Sequence, residues 1–273
     1  MDPPVILAIP CYNEATRLPV SKFTAFAYTR PAVRFLFVDD GSTDRTWRVL
    51  EGLHQDDPQH FALCHLAENS GKAEAVRQGV LRAFEANPVY VGYWDADLAT
   101  PLETLVAFCE LLSARPDLEM VFGARVQLLG RVIERRALRH YCGRVFATAA
   151  SLTLGLRIYD TQCGAKLFRA SPAIQALFHS PFATRWLIDV ELLARLIRAR
   201  QGTALPAAEE VIYEFPLPEW HDVAGSKVKA WDFATGMYGL VRIRWQYFTR
   251  GHEHPTKSRR KTGRCIRRRC RGK

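Results

Sequence analysis

The sequence predicts an α/β fold: a mixed, mainly parallel sheet flanked by helices on both faces. Three observations point to it. Short β-rich apolar runs alternate with helix-periodic segments through the first half of the chain, the order expected of a parallel sheet. The residues directly after several of those runs are polar and acidic, and ligands in such sheets bind beyond the carboxyl ends of the strands. The chain has 273 residues, 48% hydrophobic and 24% charged, which is globular composition in a length sufficient for a well-buried core.

The strands are expected at Val5 to Pro10, Phe35 to Asp40, Phe61 to Leu66, Tyr90 to Asp95 and Met120 to Arg125. Between them, Thr43 to His54, Ala73 to Ala86 and Pro101 to Ala114 read as helices. In the last of these Leu102, Leu105, Val106, Cys109 and Leu112 recur at helical spacing. The second half yields a helix from about Arg136 to Leu154, a short segment from Gly164 to Arg169, a helix from Trp186 to Arg200 and a strand from Val211 to Pro216. A last amphipathic helix runs from Lys227 to Phe248. With no solenoid repeat and no Gly/Ser linker, residues 1–248 form one domain, its halves 1–125 and 126–248, followed by a basic, disordered tail at 249–273.

The net charge of +10 is distributed unevenly. The tail holds 11 of the 38 Lys and Arg and only Glu253 of the 28 acids, so the body is neutral. A polybasic segment of this kind is attracted to anionic membrane surfaces; counterion release on nucleic acid is the competing use. The neutral body has no basic stripe with interleaved aromatics, so no specific nucleic acid is expected. The 7 Cys form no C-x-x-C pair, which reads as reduced thiols in a cytosolic protein. No signal peptide is expected from the first residues. The apolar stretch from Val145 to Leu156 falls short of the roughly 20 residues that span a bilayer. The expected location is therefore cytoplasmic, peripheral on the cytoplasmic face of a membrane.

The chemistry concentrates at strand ends. The first strand runs into Pro10-Cys11-Tyr12-Asn13-Glu14 and the second into Asp39-Asp40-Gly41-Ser42. Carboxylates there can accept the N3 hydrogen of uracil or ribose hydroxyls, while Gly41 and Ser42 supply a turn and a helix cap. The fourth strand ends in Trp94-Asp95-Ala96-Asp97, where two carboxylates one residue apart can hold a divalent ion bridging a diphosphate.

In that order, and with Asn69-Ser70-Gly71-Lys72 between them, these motifs resemble glycosyltransferase family 2, whose members have the Rossmann-like GT-A fold and use nucleotide-diphosphate sugars. Three later stretches, Asp160 to Phe168, Arg185 to Leu193 and Gly225-Ser226-Lys227, resemble the dolichyl-phosphate β-glucosyltransferase branch, among polyprenyl-phosphate glycosyltransferases. The resemblance implies roles position by position. Pro10, Tyr12, Glu14, Asp39, Asp40, Gly71, Lys72 and Asp95 match nucleotide-sugar-binding positions, with Asp40 facing uracil. Asp95 and Asp97 match the metal motif, for Mg²⁺ or Mn²⁺. Arg125, Arg131, Arg135 and Arg136 match cations that hold an acceptor phosphate. Asp160, Gln162, Trp186, Trp220, His221, Ser226 and Lys227 are assigned to the sugar and acceptor loop. Asp97, Asp189 and Arg125 are the catalytic candidates. Asp189 falls near the base of hydroxyl-glycosylating relatives, or serves as an organising acid at a helix start.

The implied reaction is inverting transfer of a hexose, glucose from UDP-glucose, to a polyprenyl phosphate, giving a β-linked sugar phosphate. Donor and acceptor are both anionic, which calls for a cation and arginines between them. A phosphate nucleophile is already largely ionised near neutral pH and needs little help from a base. Rival readings are a family 2 transferase using GDP-mannose or another nucleotide sugar, one with a non-lipid acceptor, an inactive nucleotide-sugar sensor, and a nucleic-acid or membrane binder acting through the tail.

Overall fold

The computed structural model describes residues 3–134, 137–221, 223 and 230–249. Its core is a seven-stranded sheet in the order β3-β2-β1-β4-β7-β5-β8. The strands are β1 (Val5–Cys11), β2 (Val33–Asp40), β3 (Phe61–Leu66), β4 (Tyr90–Trp94), β5 (Met120–Ala124), β7 (Ala165–Arg169) and β8 (Ile212–Pro216). A second, two-stranded sheet pairs β6 (Val132–Glu134) with β9 (Glu219–His221) in parallel. The helices are α1 (Val20–Thr29), α2 (Thr46–Asp56), α3 (Lys72–Phe84), α4 (Thr104–Ala114), α5 (Ala137–Leu154), α6 (Pro172–Ala176), α7 (Ile188–Arg200), α8 (Ala208–Val211) and α9 (Ala230–Arg244), the last followed by a π turn at Trp245–Thr249.

Period-two alternation divides each central strand between two cores. Val5, Leu7 and Ile9 of β1 join Phe35, Phe37 and Trp94 in the core beneath α1, α2 and α4. Ile6 and Ala8 join Val38, Val91 and Tyr93 beneath α3, α5, α7 and α9. On the first face, Phe23 of α1 meets Phe35 and Phe37 edge-on at 5.2 and 5.0 Å between ring centres. Pairs of this kind contribute about 0.5–1.5 kcal/mol each beyond their buried area. They explain why α1 exists although its sequence, VSKFTAFAYT, is rich in poor helix formers and gives no expectation of a helix. On the second face α3 lies close against the sheet. A Cβ at Gly79 would stand 2.7 Å from Ala8 Cβ and 2.8 Å from Val38 Cγ2, so only glycine fits there without displacing strand residues.

The chain reverses direction across the sheet between β1 and β4, because β2 and β3 are laid down on one side of β1 and β4 on the other. Such a switch point opens a crevice at the strand carboxyl ends. The sheet is mixed because β7 runs antiparallel between β4 and β5, with Trp94 opposite Ala165 and Phe122 opposite Lys166. This brings the loop preceding β7, residues 160–164, to the edge where β1, β2, β4 and β5 end. The expected strands and long helices are all present, with ends shifted by a few residues; the expected start of the last helix at Lys227 lies outside the described residues.

Candidate active site

The loops after β1 and β2 are fastened to each other. Asn13, held at φ +52°, accepts the backbone N–H of Thr43 at 2.8 Å through its side-chain oxygen, while its own N–H donates to Ser42. The Glu14 N–H donates to Thr46 Oγ1 at 2.7 Å. Pro10 and Tyr12 are half-buried along the same edge.

The acidic pair at the end of β2 divides its work. Asp40 is buried, and its carboxylate accepts the N–H groups of Ser70 at 2.7 Å and Gly71 at 2.9 Å and the Asn69 amide at 3.1 Å. Burial raises its pKa and outweighs the lowering by those two backbone hydrogen bonds. Asp40 thus anchors the turn into α3. Gly71 sits in that turn at φ +97°, where a Cβ would lie 2.8 Å from Arg185 Cβ. Asp39, fully buried, faces the other way: its carboxylate is 2.9 Å from Nδ1 of half-exposed His65, whose ring lies 4.9 Å from that of Trp47.

The acidic triplet lies at the centre of the edge. Asp95 donates its N–H to Gly164 O at 2.9 Å, continuing the β4–β7 pairing. The Asp95 carboxylate lies directly against Gly164, and any Cβ at that position would fall inside it. Lys72, at the first turn of α3, places Nζ 2.5 Å from Asp95 Oδ1. Burial acts to raise the Asp95 pKa, but the charge and hydrogen bond of Lys72 hold it below the ordinary carboxylate range. Asp97 is 3.5 Å from Arg17, which also reaches Glu14 at 3.3 Å. Burial and the neighbouring charge of Asp95 push the Asp97 carboxyl upward. Two crowded carboxylates of this kind attract a further cation.

The 160–164 loop brings up the opposite wall. Arg125, just beyond β5, is clamped by Asp160 at 2.6 and 2.8 Å, and its guanidinium lies 5.3 Å from the ring centre of buried Trp220. Asp160 in turn accepts the Gln162 N–H, and the Glu214 carboxylate accepts the N–H groups of Tyr159 and Asp160. The His221 N–H donates to Ala99 O at 3.1 Å, drawing β9 to the segment just after the acidic triplet. Trp186 is half-exposed ahead of α7, and Arg131 is exposed in the loop that also presents Leu128 and Leu129.

Asp189, in the first turn of α7, is buried. Its Oδ1 accepts the Tyr93 hydroxyl and is 2.6 Å from Nζ of Lys166. The fully buried Lys166 donates further to Thr161 O at 3.1 Å and Cys163 O at 2.5 Å. Burial, the Asp189 charge and that hydrogen bond raise the Tyr93 hydroxyl well above its usual pKa, so it remains a donor.

The fold therefore gathers Glu14, Lys72, Asp95, Asp97, Arg125, Asp160, Gln162, Trp220 and His221 along one edge, with Asp189 behind Lys72. Arg135, Arg136, Ser226 and Lys227 lie outside the residues whose side chains are described. Arg17, Lys166 and Glu214 belong to the site without having been singled out. Lys166 and Glu214 had a signal, each being a charge flanked on both sides by apolar strand residues.

The glycosyl transferase family 2 model matches residues 6–176. A dolichyl-phosphate beta-glucosyltransferase of Saccharomyces cerevisiae is 30% identical over 259 residues, 88% of this chain and 74% of that protein. Its counterpart in Homo sapiens is 31% identical over 261 residues, 89% and 75% of the two chains. The Mycobacterium tuberculosis glucosyl-3-phosphoglycerate synthase, solved with Mn²⁺, UDP-glucose and phosphoglyceric acid, superposes with a TM-score of 0.60 at 16% identity, covering 90% of this chain and 79% of that one. The fold is thus the GT-A fold of glycosyltransferases. Since the matched segment spans the strands and following turns that carry Glu14, Asp40 and Asp97, the chain belongs to glycosyl transferase family 2 and the protein is a glycosyltransferase.

Proposed function

We propose that the protein transfers glucose from UDP-glucose to a dolichyl-type polyprenyl phosphate, with inversion, giving the β-linked lipid-phosphate sugar. The observation that carries this reading is the likeness to dolichyl-phosphate beta-glucosyltransferases over 88% of the chain, because it includes both walls of the edge. In the reaction an acceptor phosphate oxygen attacks the anomeric carbon, the bond from that carbon to the UDP oxygen breaks, and UDP leaves.

Residues of the chain divide this work. The half-exposed His65, held by the buried Asp39, and Trp47 beside it form the polar and aromatic surface for the base, while Asp40 holds the Asn69 to Gly71 turn. Pro10, Tyr12 and Glu14 line the donor side. Asp95 and Asp97, two carboxylates one residue apart directly after β4, suit a divalent ion, for which a diphosphate can supply the remaining oxygens. Such an ion, Mg²⁺ or Mn²⁺, would neutralise charge on the leaving diphosphate. Lys72 supplies a second positive charge at the same point.

Arg125 is held rigid by Asp160, so its remaining guanidinium face can orient an acceptor phosphate, with Arg131, Arg135 and Arg136 as further cations. Gln162, Trp186, Trp220, His221, Ser226 and Lys227 belong to the sugar and acceptor side. Asp189 spends its charge on Lys166 and Tyr93, which suits a positioning acid beside an acceptor that is already ionised.

Calorimetry with UDP and GDP, followed by NMR of the product's anomeric proton, tests this reading. UDP preference and a β-glucosyl phosphate are expected; GDP preference, an α product or transfer only to soluble acceptors would overturn it.

A further inference from the structure

Helices α5 and α9 lie side by side and run in the same direction: Phe146 covers Gly236, and Arg244 donates to Thr153 O at 3.2 Å about two turns further along. Each buries one face. Ala150 and Leu154 of α5 and Leu240 and Ile243 of α9 enter the core beside α7. The opposite faces are apolar as well. Leu152 is 74% exposed, Tyr238 71%, Val241 65% and Trp245 53%. On α9, Tyr238, Val241 and Trp245 recur at i, i+3 and i+7, a single stripe. Between the helices runs an apolar groove of about 300 Å³, lined by residues that include Ala149, Met237 and Val241.

The charge around this face has one sign. No acidic residue occurs between Glu134 and Asp160 or between Asp232 and Glu253, whereas Arg144, Arg157, Arg242 and Arg244 do. The sequence beyond Thr249 adds 11 Lys and Arg against the single acid Glu253, starting where the stripe ends. An exposed apolar stripe with Trp and Tyr, flanked only by cations, matches the interface of an anionic bilayer. A protein partner of ordinary composition would meet the same stripe with acids of its own, but nothing in the face specifies where they should lie. None of the described helices is long and apolar enough to cross a membrane, so contact would be with the surface.

We propose that the paired α5 and α9 face docks the enzyme on the anionic headgroup surface of a membrane, its apolar stripe entering the interface and its cations meeting lipid charge. The proposal deepens the lipid-acceptor reading: α5 begins directly after Arg135 and Arg136, so docking this face would set the acceptor end of the site near the bilayer.

The test is co-sedimentation of the full chain with vesicles of phosphatidylcholine alone or with phosphatidylglycerol. No polyprenyl phosphate is present, so docking is read independently of the transfer reaction, and failed transfer with intact docking would overturn only the acceptor reading. The parent should bind the anionic vesicles, retain part of that binding at high salt, and show a blue shift of tryptophan emission that Trp245→Phe diminishes. Leu152→Glu combined with Val241→Glu should weaken binding by about ten-fold or more while leaving the thermal unfolding transition in solution in place. Tyr238→Ser, at another exposed position, should weaken it in the same direction. Binding unchanged in these variants but lost on replacing Arg267, Arg268 and Arg269 by Gln would assign adsorption to the tail alone and overturn the proposal. A parent that ignores vesicles, and whose dimer in light scattering is broken by the double variant, would assign the face to a second copy.

Discussion

Among single residues, Lys72 and Asp95 make the sharpest commitment. An ammonium at 2.5 Å already neutralises the carboxylate that would bind a cation, so a divalent ion would have to compete with Lys72 unless a bound diphosphate took the lysine's charge. Lys72→Met should therefore bind Mn²⁺ more tightly than the parent in the absence of nucleotide, read by electron paramagnetic resonance, while turning over more slowly; equal affinities would show that the two cations do not share Asp95. Lys166 lies deeper. Replacing it by Met strands Asp189 without its buried counterion, and removal of one partner of such a pair costs about 3–5 kcal/mol. Chemical denaturation should show a loss of that order, with Lys166→Met combined with Asp189→Asn recovering part of it. These residues also show where the sequence was silent. The acidic strand ends are legible because ligands in such sheets bind just beyond the strands' carboxyl ends, but whether Asp39 or Asp40 faces a ligand depends on which one the Ser70 and Gly71 N–H groups claim. That choice is made by a turn thirty residues away. Arg17 gave no signal, since its closeness to Asp97 exists only across two loops.

At the scale of elements, strands and long helices follow from hydrophobic periodicity, and the exceptions have physical causes. Helix α1 is held by Phe23 against the sheet rather than by its own propensity. Strands β6 and β9 have three residues each, too few for alternation to register. The antiparallel direction of β7 is a property of the crossover, and no residue within AKLFR encodes it. Helix α3 ties the edge together and yields two predictions. Gly79→Ala should cost about 1–3 kcal/mol, because the added methyl meets Ala8 and Val38 side chains that are fixed on the sheet; an unchanged unfolding midpoint would mean that the helix can lift. The second concerns pH. Glu74 bonds Arg77 through both carboxylate oxygens at 2.7 Å, and Arg77 reaches Phe178 O and His179 O. Burial acts to raise the Glu74 pKa, but the hydrogen bonds from Arg77 and Gln78 and the charge of Arg77 hold it below the ordinary glutamate range. A depressed carboxyl contributes stability that is present above its unfolded pKa and lost as pH falls through the folded one. The stability gap between parent and Glu74→Gln should thus be full near neutral pH and close only below about pH 4.5; a gap that persists in acid would place the loss elsewhere.

For the whole molecule, charge is sorted by function. In the neutral body Asp95 and Asp97 sit among Lys72, Arg17 and Arg125 at the carboxyl edge of the sheet, while the net excess of cations lies beyond residue 248 and the stretches of α5 and α9 from Ala137 to Leu154 and from Phe233 to Arg244 carry no acid. Such sorting suits an enzyme that must bring two anionic substrates together, one of them anchored in lipid. It is visible in the sequence as a basic tail on a neutral domain; the pairing of α5 with α9, which turns two half-apolar helices into one face, is visible only in the fold. The most direct measurement is transfer of label from radioactive UDP-glucose into organic-extractable dolichyl phosphate, with and without Mn²⁺ or Mg²⁺, comparing the parent with Asp97→Ala. Metal-dependent label in the lipid phase, reduced about 100-fold or more in the variant, is the expected result. Label that appears without metal, survives Asp97→Ala, or never reaches the lipid although UDP binds would contradict it.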